Sequence, residues 1–133
     1  MKLITKNFLE AVKDYPLYSQ DGKMSDALVV AKFFCCSYTW FVLECDYDEM
    51  TGRCDCFGLV DSSNGAELGY FSVNEMEQLK INVPIVISQD NKTVKRHFPV
   101  EVERDLYFKP CKIKDLKNQS ESVKEWIQTY SKK

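Results

Sequence analysis

A single histidine, His97, is all the imidazole this chain possesses. That excludes a histidine-rich metal site and leaves a Ser-His-Asp or Cys-His system only one residue to draw on, within the basic stretch Lys95-Arg96-His97. Glycine is scarce, at 5 residues in 133. No G-x-x-x-x-G-K-[ST] or G-x-G-x-x-G loop is present to cradle phosphates, and no G-x-S-x-G elbow to raise a serine nucleophile. Long apolar runs are missing too; none approaches the ~20 residues of a membrane span. Met1-Lys2-Leu3-Ile4-Thr5-Lys6 puts one basic residue before a short apolar pair. The apolar stretch of roughly 7–15 residues that a signal peptide needs does not follow. A cytoplasmic protein without membrane contact is therefore expected.

Apolar residues, at 44%, suffice for a core, and a chain this long is expected to form one domain, 1–133. The net charge of −2 hides an asymmetry. Residues 1–91 carry 7 Lys/Arg against 14 Asp/Glu, and residues 92–133 carry 11 against 6, balances of −7 and +5. No block of five or six like charges occurs, so opposite charges are expected to meet across one folded unit. Six cysteines stand at 35, 36, 45, 54, 56 and 111. Without a secretion signal, disulfides are not expected. The pairs Cys35-Cys36 and Cys54-x-Cys56 miss the C-x2–4-C spacing of thiolate zinc sites, and adjacent residues on a strand face opposite ways. Buried thiols are expected rather than a metal, and no cofactor is predicted.

The pattern predicts an α+β domain on an antiparallel sheet of about five to seven strands, with short helices at the N-terminus, mid-chain and C-terminus. Thr5 caps a helix from Lys6 to about Asp14, with Phe8, Leu9 and Val12 on one face. Ala27–Tyr47 reads as a hairpin turning at Tyr38, which sets Lys32 opposite Glu44. In that register one sheet face is apolar core, and the other carries Lys32, Trp40 and Glu44. A second hairpin, Asp55–Val60 with Ala66–Phe71, turns through 61–65. Gly58 and Gly69 inside it suggest a bulge or an overlying ring, with Tyr70 as a candidate. Ser72-Val73-Asn74-Glu75 is a capping box for a helix to about Lys80 that points Val73, Met76 and Leu79 inward. Ile85–Ile87 and Thr93–Phe98 form a third hairpin, turning at 89–92. Val100–Phe108 alternates as a strand, with Val100, Val102, Leu106 and Phe108 on one face. A last amphipathic helix, about 120–131, aligns Val123, Trp126, Ile127 and Tyr130.

Arg104 breaks the alternation by falling on the apolar face of its strand. A buried guanidinium needs a partner, and Glu44, Glu67, Asp61 and Asp55 are the candidates. The candidate binding residues are therefore Lys32, Trp40, Glu44, Glu67, Arg104 and its neighbour Asp105. They suit a protein-docking face, since Arg and Trp dominate interface hot spots. The alternative is a small enzyme or ligand pocket using Glu44, Glu67 and Arg104, although no catalytic set can be named. A third reading is nucleic-acid binding by Lys92, Lys95, Arg96, Lys109, Lys112, Lys114 and Lys117 with interleaved Phe98, Tyr107 and Phe108; the chain's net acidity counts against it.

Five segments in order carry a resemblance: Lys32-Phe33-Phe34, Thr39-Trp40-Phe41-Val42-x-Glu44, Phe57-Gly58-Leu59-Val60, Glu67-Leu68-Gly69-Tyr70-Phe71 and Glu103-Arg104-Asp105-Leu106-Tyr107-Phe108. With the opening Met1–Thr5 and Leu17-Tyr18 after a proline, they resemble the bacterial family catalogued as domain of unknown function 2958, over about residues 1–116. The resemblance implies carriage on plasmids, phages and integrative elements. It also implies an accessory role such as transfer, maintenance or countering host defence, with a host or element protein as partner, and no assigned activity. Two departures stand out. Residues from about Ile81 to Val100 are an insertion, and Cys35-Cys36 replaces small polar and proline residues.

Overall fold

In the computed structural model, which describes residues 1–89 and 92–131, helices and antiparallel strands form an α+β fold. The elements run α1 (Lys6–Val12), β1 (Leu28–Val29), β2 (Ala31–Cys35), β3 (Tyr38–Tyr47), β4 (Cys54–Ser62), β5 (Gly65–Ser72), α2 (Val73–Gln78), β6 (Lys80–Gln89), β7 (Lys92–Glu101), β8 (Glu103–Arg104), β9 (Cys111–Lys112) and α3 (Glu121–Tyr130). The main sheet has five strands in the order β5-β4-β3-β2-β8. β1 pairs with β9, and β6 pairs with β7 as a separate two-stranded arm. No helix among the described residues is long and apolar enough to cross a membrane.

Thr5 and Ser72 cap their helices as the sequence predicts, and Ser120, expected as the first residue of the last helix, is its cap. Thr5 Oγ1 accepts from Phe8 N, Ser72 Oγ from Glu75 N and Ser120 Oγ from Val123 N. Each satisfies one of the orphan donors at a helix start. α2 stops at Gln78, two residues earlier than expected, and Leu79 is exposed rather than inward.

The sheet is buried on both faces. One face packs Phe33, Val42, Cys45 and Cys56 under Phe8 and Val12 of α1 and Val73 and Met76 of α2. The other packs Phe41, Leu43 and Leu59 under Ile113, Leu116 and α3's Val123 and Trp126. The expected polar second face is thereby corrected: residues 113–127 cover it. The β2–β3 register is corrected as well. The turn is Cys36-Ser37, not Tyr38, because Tyr38 and Thr39 are good strand residues and two-residue hairpin loops are favoured. Lys32 therefore pairs with Phe41, and Phe33 with Trp40. The shift by an odd number of residues swaps the faces, so Lys32 and Trp40 lie on opposite sides of the sheet.

A bulge in β3 sets a second reversal. Val42 pairs with Gly58, yet Glu44 pairs with Phe57, leaving Leu43 as the extra residue. Beyond it Cys45, not Glu44, faces the α1 side. The Cβ of any residue replacing Gly58 would stand 1.9 Å from Phe41 O. The bulge is admitted because residue 58 has no side chain.

The third hairpin is longer than predicted, spanning β6 and β7 in full; residues 90–91 of its expected turn lie outside the described residues. The strand expected over Val100–Phe108 ends at Arg104: Leu106 is exposed, and Phe108 joins the α3-side core.

Candidate functional site

Three of the six candidate residues meet where β8 ends. Asp105 N donates to Lys32 O at 3.0 Å, continuing the β2–β8 ladder by one bond. The Asp105 carboxylate then accepts from Tyr107 N at 3.0 Å, and its Oδ2 lies 3.9 Å from Lys32 Nζ. An Asp bonding the backbone two residues on is a turn device. Here it ends the strand and holds Leu106 and Tyr107 outward, 66% and 92% exposed. Met1, Lys32, Phe34, Glu103, Arg104, Asp105, Leu106 and Tyr107 enclose an open groove of about 480 Å³. A second cleft, walled by Phe108, Pro110 and Leu116, continues from it and shares Lys32, Asp105 and Tyr107.

Arg104 sits on the α1 side of the sheet, as its place in the alternation predicts. Its guanidinium lies 5.7 Å over the Phe8 ring, and Nη1 donates to Asn7 Oδ1 at 2.8 Å. Nε is buried without a hydrogen-bond partner, and no carboxylate among the described residues forms an ion pair with Arg104. Burial lowers its pKa, since desolvation disfavours the charged form. The expected pairing with Glu44, Glu67, Asp61 or Asp55 is not formed. Ser120 bonds Asp61, and Arg53 pairs with Asp55.

The other candidates lie apart. Trp40 is half-buried in the same cross-strand row as Arg104, with Phe33 between them, and stacks on Tyr38 at 5.5 Å. Glu67 is exposed on β5, at the opposite sheet edge, about 19 Å away by strand spacing. Glu44 is 3% exposed. Its two oxygens accept from Tyr18 N at 2.8 Å and Gln20 N at 2.7 Å. Gln20 in turn donates to Leu28 O and Leu43 O, both at 2.8 Å. Glu44 therefore closes the 16–20 loop onto the sheet, a structural task for which two charge-assisted bonds suffice. Glu44, Glu67 and Arg104 do not converge on one pocket.

Sequence reasoning missed a cluster. Cys45, Cys54 and Cys56 are buried with their sulfurs within 4.8 Å of one another. A hairpin across the polar loop 48–53 pairs Tyr47 with Cys54 and hence Cys45 with Cys56. The signal lies in that loop: a turn there pairs residues across it, which the spacing of neighbouring cysteines does not show. Cys54 is held down to about 4 by the thiols of Cys45 and Cys56, which bond to its sulfur. Cys45 is raised chiefly through its bond with Cys54, and Cys56 chiefly by burial. Cys35 and Cys36 also approach, at 3.5 Å, because the turn intervenes at Cys36.

The family model described as protein of unknown function (DUF2958) matches residues 3–119. The chain belongs to this family. The DUF2958 match takes in the whole sheet, the groove apart from Met1, and the three cysteines, and ends just before α3. No curated protein and no solved structure matches the chain.

Proposed function

We propose that this DUF2958 protein is a non-enzymatic protein-interaction module. In this reading it is a cytoplasmic accessory protein of a mobile genetic element, and the groove around Lys32, Arg104 and Asp105 docks an acidic segment of a host or element-encoded protein. One observation carries the reading. The turn at Asp105 holds Leu106 and Tyr107 out beside a guanidinium with which no carboxylate among the described residues forms an ion pair. Phe34, 38% exposed, extends the apolar rim. Arg and Tyr flanked by apolar contacts are the residues from which hot spots are built. The +5 balance of residues 92–133 favours an acidic segment. Trp40 extends the same row.

The test is a photo-crosslinker placed at position 107 in cells carrying the element, with the adduct identified and the complex rebuilt from purified proteins. Arg104→Ala and Leu106→Asp are each expected to weaken that complex at least about tenfold. Unchanged affinity in both variants refutes the groove. A second reading is favoured by one observation, the exposed Lys92, Lys95, Arg96 and Phe98 on the arm. Nucleic-acid binding there would weaken steeply with salt, and no binding at low salt ends that reading.

A further inference from the structure

We propose that Cys45, Cys54 and Cys56 form a three-thiolate site for a zinc ion. The site does not depend on the docking groove; it lies on the α1 side of the sheet, at the end of the β3–β4 pair. Its geometry follows from the backbone. Cys54 and Cys56 are two apart on β4 and share a face, and Cys45 is the cross-strand partner of Cys56. The bulge at Leu43 turns Cys45 toward them; in unbroken register it would face the other way.

Zinc–sulfur bonds of about 2.3 Å in a tetrahedral arrangement put the sulfurs about 3.8 Å apart. The three sulfurs here lie within 4.8 Å of one another, and Cys45 and Cys54 are 3.3 Å apart. Changes of rotamer, without movement of the strands, would close that difference. Sulfur-only donors select thiophilic ions over magnesium or calcium.

The site also has access. Cys45 lines an open cleft of about 780 Å³ with Leu9, Val12, Pro16, Lys13 and Arg53. A fourth donor, water or an external ligand, would enter there. Three thiolates and one Zn²⁺ carry a net charge of −1, and the cleft wall does not offset it, since Lys13 and Arg53 are outnumbered there by Asp46, Asp48, Glu49 and Asp55. Binding releases the protons that the thiols still hold, leaving three Zn–S bonds and no change of oxidation state.

The test uses the full-length chain, reduced and metal-free, titrated with Co²⁺ as the optical probe and then with Zn²⁺. One equivalent of Co²⁺ is expected to give thiolate charge-transfer absorption with tetrahedral d–d bands, which Zn²⁺ then abolishes. Cys45→Ala, Cys54→Ala and Cys56→Ala should each lose these bands, and Cys36→Ala and Cys111→Ala should keep them. Zn²⁺ should also raise the melting temperature of the wild-type chain and not that of Cys56→Ala, with folding of every variant checked by circular dichroism. Absence of charge-transfer bands in the folded, reduced wild-type chain overturns the site. So does their persistence in a folded Cys45→Ala or Cys56→Ala variant.

Discussion

Replacing Gly58 by alanine should cripple the sheet, whereas the same change at its cross-strand neighbour Gly69 should not. The two glycines are register partners on β4 and β5. A Cβ at 58 would meet Phe41 O at 1.9 Å, Phe41 C at 2.9 Å and Leu43 N at 3.2 Å; at 69 it meets nothing within 4 Å. A carbon rests no nearer than about 3.3 Å from a carbonyl oxygen. β3 and β4 must therefore part by more than about 1 Å beside the bulge. Losing about two ladder bonds costs about 1–3 kcal/mol, and residual overpacking adds about 1–3 kcal/mol. The lower entropy of the unfolded chain returns under 1 kcal/mol. The expected loss is about 1–6 kcal/mol. At about 2.1 cal/mol/K per residue of unfolding entropy, that lowers the melting temperature by about 4–21 °C. Gly69→Ala should be neutral or stabilise by up to about 1 kcal/mol. Calorimetry and urea titration of both variants decide the matter. If Gly58→Ala lies within about 1 kcal/mol of the parent, or the two variants shift alike, the close approach of the strands does not exist as described.

Cys36 turns a two-residue loop with φ of 55°. Cys36→Gly should therefore stabilise by up to about 1 kcal/mol in urea titration, and a loss would contradict the strain. Glu44→Gln keeps the shape but turns an amide donor toward Tyr18 N or Gln20 N. A cost of about 2–3 kcal/mol is expected in the urea midpoint, and a neutral result would mean that the carboxylate does not hold the loop. The reduced, metal-free chain should change stability with pH in two opposed ways. Cys54, lowered to about 4 from an unfolded value of 9.0, contributes stability that is complete above about pH 9 and is lost as pH falls toward 4. Cys56, raised by burial, stays protonated in the fold while the unfolded thiol ionises, so stability falls once pH passes that unfolded value. Denaturation at several pH values should show the rise between about pH 5 and pH 8 flattened in Cys54→Ala and the alkaline fall flattened in Cys56→Ala.

What could be read from the residues was local. Thr5 and Ser72 announced their helices because a cap is a contact within four residues. Phe8, Val12, Val123 and Trp126 followed from helical period. Arg104 stood out as a break in alternation, and it does lie over Phe8. Non-local pairing was not legible. Weighing Ser37-Tyr38-Thr39 as a polar break centres the β2–β3 turn on Tyr38 instead of Cys36-Ser37 and shifts the register by three residues. That error carried Lys32 and Trp40 onto one face and Glu44 opposite Lys32. The bulge at Leu43 was visible only through its trace at Gly58, and without it neither the burial of Glu44 nor the meeting of Cys45 with Cys54 and Cys56 can be foreseen. The groove escaped because Leu106 and Phe108 were read as continuing a strand that Asp105 had already ended.

The paired strands β6 and β7 bear on how this protein can change over time. Their hydrogen bonds are made chiefly to one another, and Phe98, Val94 and Val86 are exposed. Away from Val100, which packs against the core, and Glu101, which pairs with the N-terminus, substitutions there touch the five-stranded sheet little. The exposed part of the arm can therefore diversify at little cost to folding.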